Sequence, residues 1–343
     1  MEVHFPERII DRHVGGNTTY TRKISQGLQA RGVNVRRIPA GRSPYSTIFY
    51  ESLYGLRKFS KDTILHYSAD TGPLFKTRSK SIVTVHGVAS RWINVARTST
   101  QEYIWRRRVG LAIKSTNNII TVSNSSADDI AEIFGVDRKS IKVIHHGIDT
   151  DVFSQKTQLS ENIAKILPSQ YVLYLGNLEP RKNIIPLIDA FRSPDLRALN
   201  IPLVIAGRPA WNYKEILKAI NNSKNVIYLG FVDDSDRVAL MQNSSLFAFP
   251  SLYEGFGFPI LEALAAGTVV ITSRKGSLAE VSGPSLAFQE LDSGSIASGI
   301  HDALTNNKER LNCIKNAPDW VSKFSWNSSI DKHIETYKEL INS

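Results

Sequence analysis

The chain repeats one pattern twice, in which short apolar runs alternate with stretches of helical length. The first series has apolar runs at 3–5, 33–38, 63–67, 81–85, 119–122 and 141–144. The second has them at 171–175, 202–206, 226–229, 245–249, 268–272 and 286–288. Strands that alternate with helices in this way predict mainly parallel sheets with helices on both faces. We therefore predict an α/β chain of two Rossmann-like, doubly wound domains that face each other across a cleft.

The domain boundaries follow from the gap between the two series. Residues 151–168 are polar and carry no clear hydrophobic period, which indicates a linker. A chain of 343 residues is also long for a single core. The pattern predicts a first domain at 1–150, a second at 169–322, and a final helical segment at 323–343.

Basic residues are concentrated in the first half of the chain. Residues 1–150 contain 23 Lys and Arg against 12 Asp and Glu, whereas the remainder is nearly neutral. Such an excess attracts nucleic acid, anionic lipid or an anionic acceptor, or simply keeps a protein in solution. Nucleic acid is disfavoured, because the basic residues are scattered and no DNA- or RNA-binding motif appears.

One basic cluster is also aromatic, which suits either the lipid–water interface or a solvated helix face. It consists of Arg106, Arg107 and Arg108 beside Trp92, Tyr103 and Trp105.

Cysteine content and hydropathy bear on the compartment. The single cysteine, Cys313, excludes an internal disulfide and fits a reducing compartment. No apolar run is long enough to predict a spanning helix, and the first residues lack the features of a signal peptide. We predict a cytoplasmic protein whose basic half contacts the inner face of a membrane.

The sharpest motif is a pair of glutamates, Glu254 and Glu262, with seven residues between them. They flank a glycine-rich turn from a strand-like run into a small-residue helix, in which Pro259 suits the first helical position. Carboxylates accept hydrogen bonds from sugar hydroxyls, and the amides at a helix N-terminus attract phosphate. The pair predicts a site for a polyhydroxylated anion, and the alternative is a turn without a ligand. The turn contributes Gly255, Phe256, Gly257 and Phe258.

A second motif, Gly176-Asn-Leu-Glu-Pro-Arg181-Lys182, follows the first strand of the second series. A guanidinium provides a fork of donors and an ammonium a point charge, and together they suit a diphosphate. A solvated basic turn is the alternative. Base recognition is expected at the ends of the next two strands, on Gly207 and Arg208 and on Phe231 and Val232.

The first half of the chain offers weaker signals. Gly15 and Gly16 precede a helix, and a Cβ at Gly16 would block the approach of backbone to a ligand. His86 directly follows the run 81–85, at the edge of a parallel sheet where ligands bind. The pair His145 and His146 has no spaced partner set for a metal. Asp234-Ser-Asp236 has the spacing of a metal-binding motif, but helix capping explains it more simply.

Taken in order, these motifs resemble the retaining glycosyltransferases of family 4, which have the GT-B fold. The resemblance covers nearly the whole chain and rests on Gly15-Gly16, His86, Arg181-Lys182 and the two glutamates. It implies transfer of a hexose from a nucleoside diphosphate sugar to an acceptor hydroxyl, without a metal and with retention of the anomeric configuration. GDP-mannose or a UDP-hexose is the expected donor, and a glycan or lipid-linked molecule the expected acceptor.

The resemblance also implies roles for individual residues. Arg181 and Lys182 neutralise the leaving diphosphate, and Glu254 and His86 contact the transferring sugar. Glu262 is the candidate for the ribose hydroxyls, as an acidic residue is in dinucleotide folds. Gly15, Gly16 and Gly176 lie by the donor, and Ser123 by donor or acceptor. Asp149 belongs to the turn that leaves the first domain.

The family resemblance further implies that the first domain binds the acceptor and that the final helix returns to pack on it. Two other functions fit the same fold. A nucleotide-sugar 2-epimerase needs no acceptor, and a non-catalytic nucleotide-sugar-binding protein forms no product.

Overall fold

The computed structural model describes residues 1–11, 15–88 and 99–343. Within these ranges the chain forms two compact units. Unit 1 contains the described residues up to Gly147 together with Phe324–Ser343, and unit 2 contains 148–323. None of the helices in the described ranges is both long enough and apolar enough to cross a bilayer.

Two parallel sheets, one in each unit, carry the fold. The strands are β1 Glu2–Pro6, β2 Asn34–Ile38, β3 Thr63–Tyr67, β4 Ser81–Val85, β5 Asn118–Thr121, β6 Ile141–Val143, β7 Val172–Leu175, β8 Leu203–Ala206, β9 Val226–Gly230, β10 Leu246–Phe249, β11 Val270–Thr272 and β12 Leu286–Ala287. The strand order is β2-β1-β3-β4-β5-β6 in the first sheet and β12-β11-β10-β7-β8-β9 in the second.

Helices connect the strands and cover both sheets. They are α1 Glu7–Ile10, α2 Gly16–Ala30, α3 Pro44–Gly55, α4 Ser99–Ser115, α5 Asn124–Phe134, α6 Thr150–Ser154, α7 Glu161–Ala164, α8 Ile184–Ala190, α9 Pro194–Ala198, α10 Lys214–Asn221, α11 Asp234–Asn243, α12 Phe258–Ala265, α13 Ser277–Val281, α14 Ser293–Thr305, α15 Asn307–Val321 and α16 Trp326–Asn342.

The predicted fold class is confirmed. Each apolar run of the sequence forms a strand whose ends lie within two residues of the prediction. Strands β3, β4, β8 and β10 are buried along their whole length, as parallel strands covered on both faces must be. The sequence pattern missed α3. This helix begins with a capping box, in which the Ser43 hydroxyl accepts from the Ser46 amide at 3.1 Å and the Ser46 hydroxyl accepts from the Ser43 amide at 2.9 Å.

Helix α16 belongs to unit 1, where it packs on α2 and β3. Its buried side consists of Trp326, Ile330, His333, Tyr337 and Leu340, which recur at helical spacing. The approach to α2 depends on Gly27, because a Cβ there would lie 2.0 Å from the side chain of Ile330. The final helix therefore completes the core of unit 1.

A buried chain of hydrogen bonds fixes α16 to the sheet. One carbonyl oxygen determines which group donates and which accepts at each step. Nδ1 of His333 lies 2.7 Å from the Ser329 carbonyl oxygen, which can only accept, so this nitrogen carries the proton. Nε2 of the neutral ring then accepts from the Tyr20 hydroxyl at 2.7 Å. Tyr20 has used its only proton and accepts from Thr84 at 3.0 Å.

The other half of this hydrogen-bond chain leads from Thr84 back to α16. The Thr84 hydroxyl accepts from Nε2 of His66, and Nδ1 of His66 accepts from the Tyr337 hydroxyl, both at 2.7 Å. This arrangement requires both imidazoles to be neutral. Burial favours the neutral form, since it lowers the pKa of His333 to about 4 and that of His66 well below its ordinary value.

The buried histidines make the stability of the chain depend on pH. Unfolded His333 takes up a proton near pH 6.5, whereas folded His333 does so only near pH 4. The unfolded state therefore binds more protons between these values, and the native state is destabilised as the pH falls through this window. The contribution of His333 alone reaches about 1.4 kcal/mol per pH unit.

We expect His333→Gln to be less stable than the wild type at pH 7.5, but to lose stability less steeply from pH 6.5 to 4. Urea denaturation at a series of pH values measures both effects. The matched control is Lys332→Gln, an exposed neighbour on the same helix, which should retain the wild-type slope. Equal slopes for His333→Gln and the wild type would contradict the assignment.

Candidate active site

The strand order of unit 2 reverses between β7 and β10. These two strands are hydrogen-bonded neighbours, with β8 and β9 beyond one of them and β11 and β12 beyond the other. Ligands of open α/β sheets bind outside the carboxyl ends of the strands at such a reversal. The turn that follows β7 contains Pro180–Lys182, and the loop that follows β10 contains Glu254. Both predicted charged motifs therefore lie where this fold binds ligands.

Three predicted catalytic residues of unit 2 meet at one carboxylate. Oε2 of Glu254 accepts from Nη1 of Arg181, and its Oε1 accepts from Nζ of Lys182, both at 2.6 Å. The Ser251 hydroxyl donates to Oε1 at 2.7 Å. Glu254 is 8% exposed and Lys182 is 6% exposed. The cluster is thus a nearly buried carboxylate shared by two cations.

The charges of the cluster depend on one another. Burial opposes ionisation of Glu254, but Arg181 and Lys182 outweigh it and hold its pKa at about 2. Burial also opposes the charge of Arg181, yet Glu254 and Glu179 raise the pKa of its guanidinium above the ordinary value. Lys182 has a lowered pKa because of burial and the adjacent Arg181, which Glu254 only partly offsets. Glu254 therefore remains an anion and cannot easily give up its cations.

Glu179 is a site residue that the sequence reasoning did not single out. Nε of Arg181 donates to it at 3.1 Å, so that two carboxylates hold the guanidinium. It stands two residues before Arg181 in the quoted motif, and this proximity was the available signal. The backbone secures the same arrangement, since Arg181 also donates to the Tyr253 carbonyl at 2.7 Å and the Ser277 hydroxyl donates to the Glu254 carbonyl at 2.6 Å.

The second glutamate of the pair contacts a different cation. Glu262 lies one turn inside α12, where Pro259 occupies the second position rather than the first. Its Oε1 accepts from Nη1 of Arg237 at 2.7 Å, and among the described residues none donates to its Oε2. Burial raises the pKa of Glu262, and Arg237 offsets part of that effect. No sequence signal pointed to Arg237, which reaches Glu262 from α11.

The predicted base-recognition residues lie together at the ends of β8 and β9. Gly176 and Gly207 are in contact, because a Cβ on Gly207, whose φ is +151°, would lie 1.9 Å from the Gly176 carbonyl oxygen. The guanidinium of Arg208 stacks 3.8 Å above the ring of Phe231. Both of these side chains are exposed, and Val232 beside them is half-buried.

Apolar side chains pack against the glycine-rich turn before α12. Phe256 is buried and contacts Phe258 edge to face, with ring centroids 5.3 Å apart. Gly257 has a φ of +113°, and a Cβ there would come within 2.7 Å of Leu278. The aromatic side chains thus support the turn, and Gly255 remains half-exposed.

The predicted residues of unit 1 form a separate group. The ring of His86 donates from Nε2 to the Ser68 carbonyl at 3.1 Å, and its amide donates to Asp70 at 2.7 Å. Tyr20 contacts the His86 ring edge to face, and burial lowers the pKa of that ring. These contacts tie His86 to the hydrogen-bond chain of α16, and its catalytic role remains a prediction.

Two further predictions in unit 1 fall on residues with structural roles. The left-handed φ of +128° is at Gly15, and Gly16 is the first residue of α2. The Ser123 hydroxyl is buried and caps α5 by accepting from the Ser126 amide at 3.1 Å.

The two motifs considered for metal binding have other partners. His146 is buried against Tyr20 and Trp326. The cap of α11 is Asp233, whose carboxylate accepts from the Asp236 amide at 2.8 Å, and Asp236 accepts from the Ser160 amide at 2.7 Å. No group of three or more His, Cys, Asp or Glu within the described ranges is arranged to hold a metal ion.

Comparison with known families accounts for both units. Residues 155–320 match the family Glycosyl transferases group 1, and residues 36–152 match Glycosyltransferase Family 4. The chain belongs to the glycosyltransferases that these two family models describe, and the predicted family is confirmed.

Relatives of the transferase include several mannosyltransferases. O-antigen chain mannosyltransferase B of Escherichia coli is 29% identical over 243 residues, which are 67% of this chain and 62% of that protein. Serotype-specific mannosyltransferase WbdA of Escherichia coli is 30% identical over 66% of this chain and 29% of that protein. Both matches span less than two thirds of the relative. An uncharacterized glycosyltransferase of Methanocaldococcus jannaschii is 25% identical over 97% of this chain and 96% of its own.

Solved structures agree on the fold of the transferase. Sucrose-phosphate synthase from Thermosynechococcus elongatus matches with a TM-score of 0.78 at 18% identity, over 99% of both chains. HepE of Anabaena, in complex with UDP and glucose, matches with a TM-score of 0.75 at 18% identity, over 99% of this chain and 100% of that one. At these identities the likeness supports the GT-B architecture.

The shared carboxylate leads to a stability prediction. Glu254→Gln keeps the shape of the side chain but leaves the buried Lys182 and the partly buried Arg181 without their common counter-ion, so that only Glu179 still pairs with Arg181. We expect the free energy of unfolding at pH 7 to fall by about 3 kcal/mol, as when a buried ion pair loses one partner. Urea denaturation of the whole chain measures this change. Glu290→Gln, on the surface of the same unit, is the control, and a loss of less than about 1 kcal/mol for Glu254→Gln would disprove the buried-cluster account.

Proposed function

We propose that the transferase is a retaining hexosyltransferase that moves a hexose from a nucleoside diphosphate sugar to an acceptor hydroxyl. The observation that supports this most is the cluster of Arg181, Lys182 and Glu254 at the strand reversal of unit 2. A diphosphate leaving group gains negative charge as its bond to the sugar breaks. Two adjacent cations held in a nearly buried, low-dielectric position stabilise that charge more strongly than they stabilise the bound donor.

In this proposal the carboxylates orient the cations and do not themselves react with the donor. Glu254 and Glu179 hold the guanidinium of Arg181 in a fixed orientation, and Glu254 does the same for the ammonium of Lys182. Cations that are already oriented need no reorganisation when the leaving group develops its charge. Because these charges come from side chains, the proposed reaction needs no metal ion.

The remaining donor contacts are assigned to other groups of the same unit. Oε2 of Glu262 accepts from the ribose hydroxyls, while Arg237 holds the other oxygen. The stacked pair Arg208 and Phe231 offers a planar surface to the nucleobase. The glycine contact between Gly176 and Gly207 lets backbone amides approach the phosphates.

Retention by direct displacement is supported by the state of Glu254. A nucleophilic carboxylate would need a free oxygen, whereas both oxygens of Glu254 accept from cations and its pKa is about 2. We therefore propose a front-face reaction. The bond from the anomeric carbon to phosphate breaks, the bond to the acceptor oxygen forms on the same face, and the acceptor proton passes to the leaving phosphate.

Mannose is the proposed sugar, with GDP-mannose as the first donor to test and UDP-hexoses as the second. The names of the mannosyltransferase relatives support this choice. The word O-antigen in the name of O-antigen chain mannosyltransferase B supports an acceptor from polysaccharide, glycolipid or cell-envelope glycan synthesis.

The test measures donor consumption and product stereochemistry. A panel of GDP-, UDP-, ADP- and dTDP-sugars is first screened by thermal shift, and the stabilising donor is then incubated with saccharide acceptors in EDTA. We expect an acceptor-dependent product with the anomeric configuration of the donor, as read by NMR. Turnover of UDP-GlcNAc without acceptor would indicate an epimerase instead. Donor binding without any product across the acceptor panel would indicate a binding protein.

The proposed role of the cations leads to a kinetic prediction. We expect Arg181→Ala and Lys182→Ala each to lower kcat by about 100- to 1000-fold with a smaller change in KM, because the lost interaction strengthens in the transition state. Steady-state kinetics with saturating acceptor gives both constants. The control is Lys224→Ala, an exposed lysine of the same unit. A raised KM with an unchanged kcat would assign the cations to ground-state binding alone.

A further inference from the structure

Unit 1 exposes an unusual number of large apolar side chains. In the described part of this unit, all of those that are exposed come from α3, from the loop after β3, or from the start of α4. We call this set the aromatic face, and its members are Tyr45, Phe49, Tyr50, Leu53, Phe75, Tyr103 and Ile104. Five of the seven are aromatic. Exposed apolar side chains scattered singly are normal, but a concentration of them marks an interaction surface.

Helix α3 supplies most of the aromatic face. Tyr45, Phe49 and Leu53 recur every four residues and are 86%, 59% and 45% exposed. The opposite side of the helix, with Glu51, Ser52 and Gly55, is buried. This helix therefore turns its large apolar side chains toward solvent and its small and polar ones toward the core, which costs free energy unless another surface covers the apolar side.

The loop after β3 lies against the same helix. The Leu74 amide donates to the Ser52 hydroxyl at 3.1 Å, and the Arg78 amide donates to the Gly55 carbonyl at 2.9 Å. These two bonds place Phe75, which is 58% exposed, beside the C-terminal half of α3.

Helix α4 adjoins the same loop. Arg8 bridges α3 and the loop, since it donates to Glu51 at 2.6 Å and to the Thr71 carbonyl at 3.1 Å. Thr71 in turn lines a largely apolar pocket of about 400 Å³ together with residues of α4, namely Gln101, Ile104, Trp105 and Arg108. Arg8 and Thr71 thus make the three segments neighbours in the fold. Trp92, which the sequence grouped with this cluster, lies outside the described residues.

The exposed charges around the aromatic face are mostly positive. Exposed basic residues on or beside the three segments are Arg42, Arg57, Lys58, Lys61, Lys76, Arg78 and Arg107. The acidic residues are mostly neutralised: Glu51 is buried against Arg8, and Glu102 pairs with Arg106 at 2.6 Å. Asp62 is the one exposed acid between residues 41 and 80. A surface of this kind complements an anionic partner.

We propose that the aromatic face docks the chain on an anionic phospholipid bilayer. Aromatic rings settle at the level of the lipid headgroups, and each Lys or Arg near an anionic surface adds attraction. A protein partner could also use aromatic and Arg residues, but its recognition would not depend on lipid charge. The inference extends the transferase proposal to its site of action and does not rest on the chemistry of unit 2.

Vesicle sedimentation tests the proposal with the whole chain. One set of vesicles contains phosphatidylcholine alone and the other contains equal parts of phosphatidylcholine and phosphatidylglycerol. We expect sedimentation with the anionic vesicles only, and weaker sedimentation as salt is raised. Phe49→Ser/Leu53→Ser should weaken it by about tenfold or more, because two apolar side chains no longer enter the interface.

The matched control is Leu311→Ser/Ile314→Ser, which removes two exposed apolar residues from a helix of unit 2 and should sediment like the wild type. Tyr45→Ser, at an 86% exposed position, provides a second variant of the face with little risk to folding. Arg42→Gln/Lys58→Gln should weaken binding to anionic vesicles without changing the apolar residues.

Several outcomes would overturn the proposal. These are no binding to anionic vesicles, equal binding to both vesicle types, or full binding by Phe49→Ser/Leu53→Ser. A dimer in gel filtration that disappears with these substitutions, without vesicle binding by the wild type, would identify the face as a contact between two copies. Thermal stabilisation by the donor nucleotide, measured alongside, reports on unit 2 independently and separates this result from the transferase proposal.

Discussion

The architecture of the candidate site depends on one carboxylate shared by two cations. None of Arg181, Lys182 and Glu254 could be buried alone at an acceptable free-energy cost. Together they join the turn after β7 to the loop after β10, and a backbone bond from the Leu252 amide to the Arg181 carbonyl at 2.9 Å reinforces the connection. The strand order makes this possible, because it sets those two connections side by side. Charge placement and sheet topology are thus parts of one constraint.

Local sequence predicted the elements well and the long-range partners poorly. The apolar runs predicted the strands because a parallel strand covered on both faces must be apolar throughout. The charged motifs indicated Arg181, Lys182 and Glu254 because each motif is contiguous in sequence. Arg237 was missed since only the packing of α11 on α12 brings it to Glu262, 25 residues away. The pairing of Tyr20 with His333 spans 313 residues and has no local signature.

Some motif positions have structural roles. Ser123 caps a helix and Phe256 packs beneath a turn, and their contacts with a ligand stay predictions. A sequence motif does not distinguish a side chain that touches a ligand from one that shapes the backbone around the ligand, because both positions need a specific residue type. Helix α3 is the opposite case. The sequence pattern did not single out this helix, whose outward residues supply four of the seven members of the aromatic face.

The contribution of α16 to unit 1 has a consequence for synthesis on the ribosome. The hydrogen-bond chain from Tyr337 through His66, Thr84 and Tyr20 to His333 begins and ends on this helix. Unit 1 therefore lacks its closing helix until all of unit 2 has been translated. The unit whose residues emerge first completes its core last, and during that interval Tyr20 and His66 lack the hydrogen-bond partners that α16 supplies.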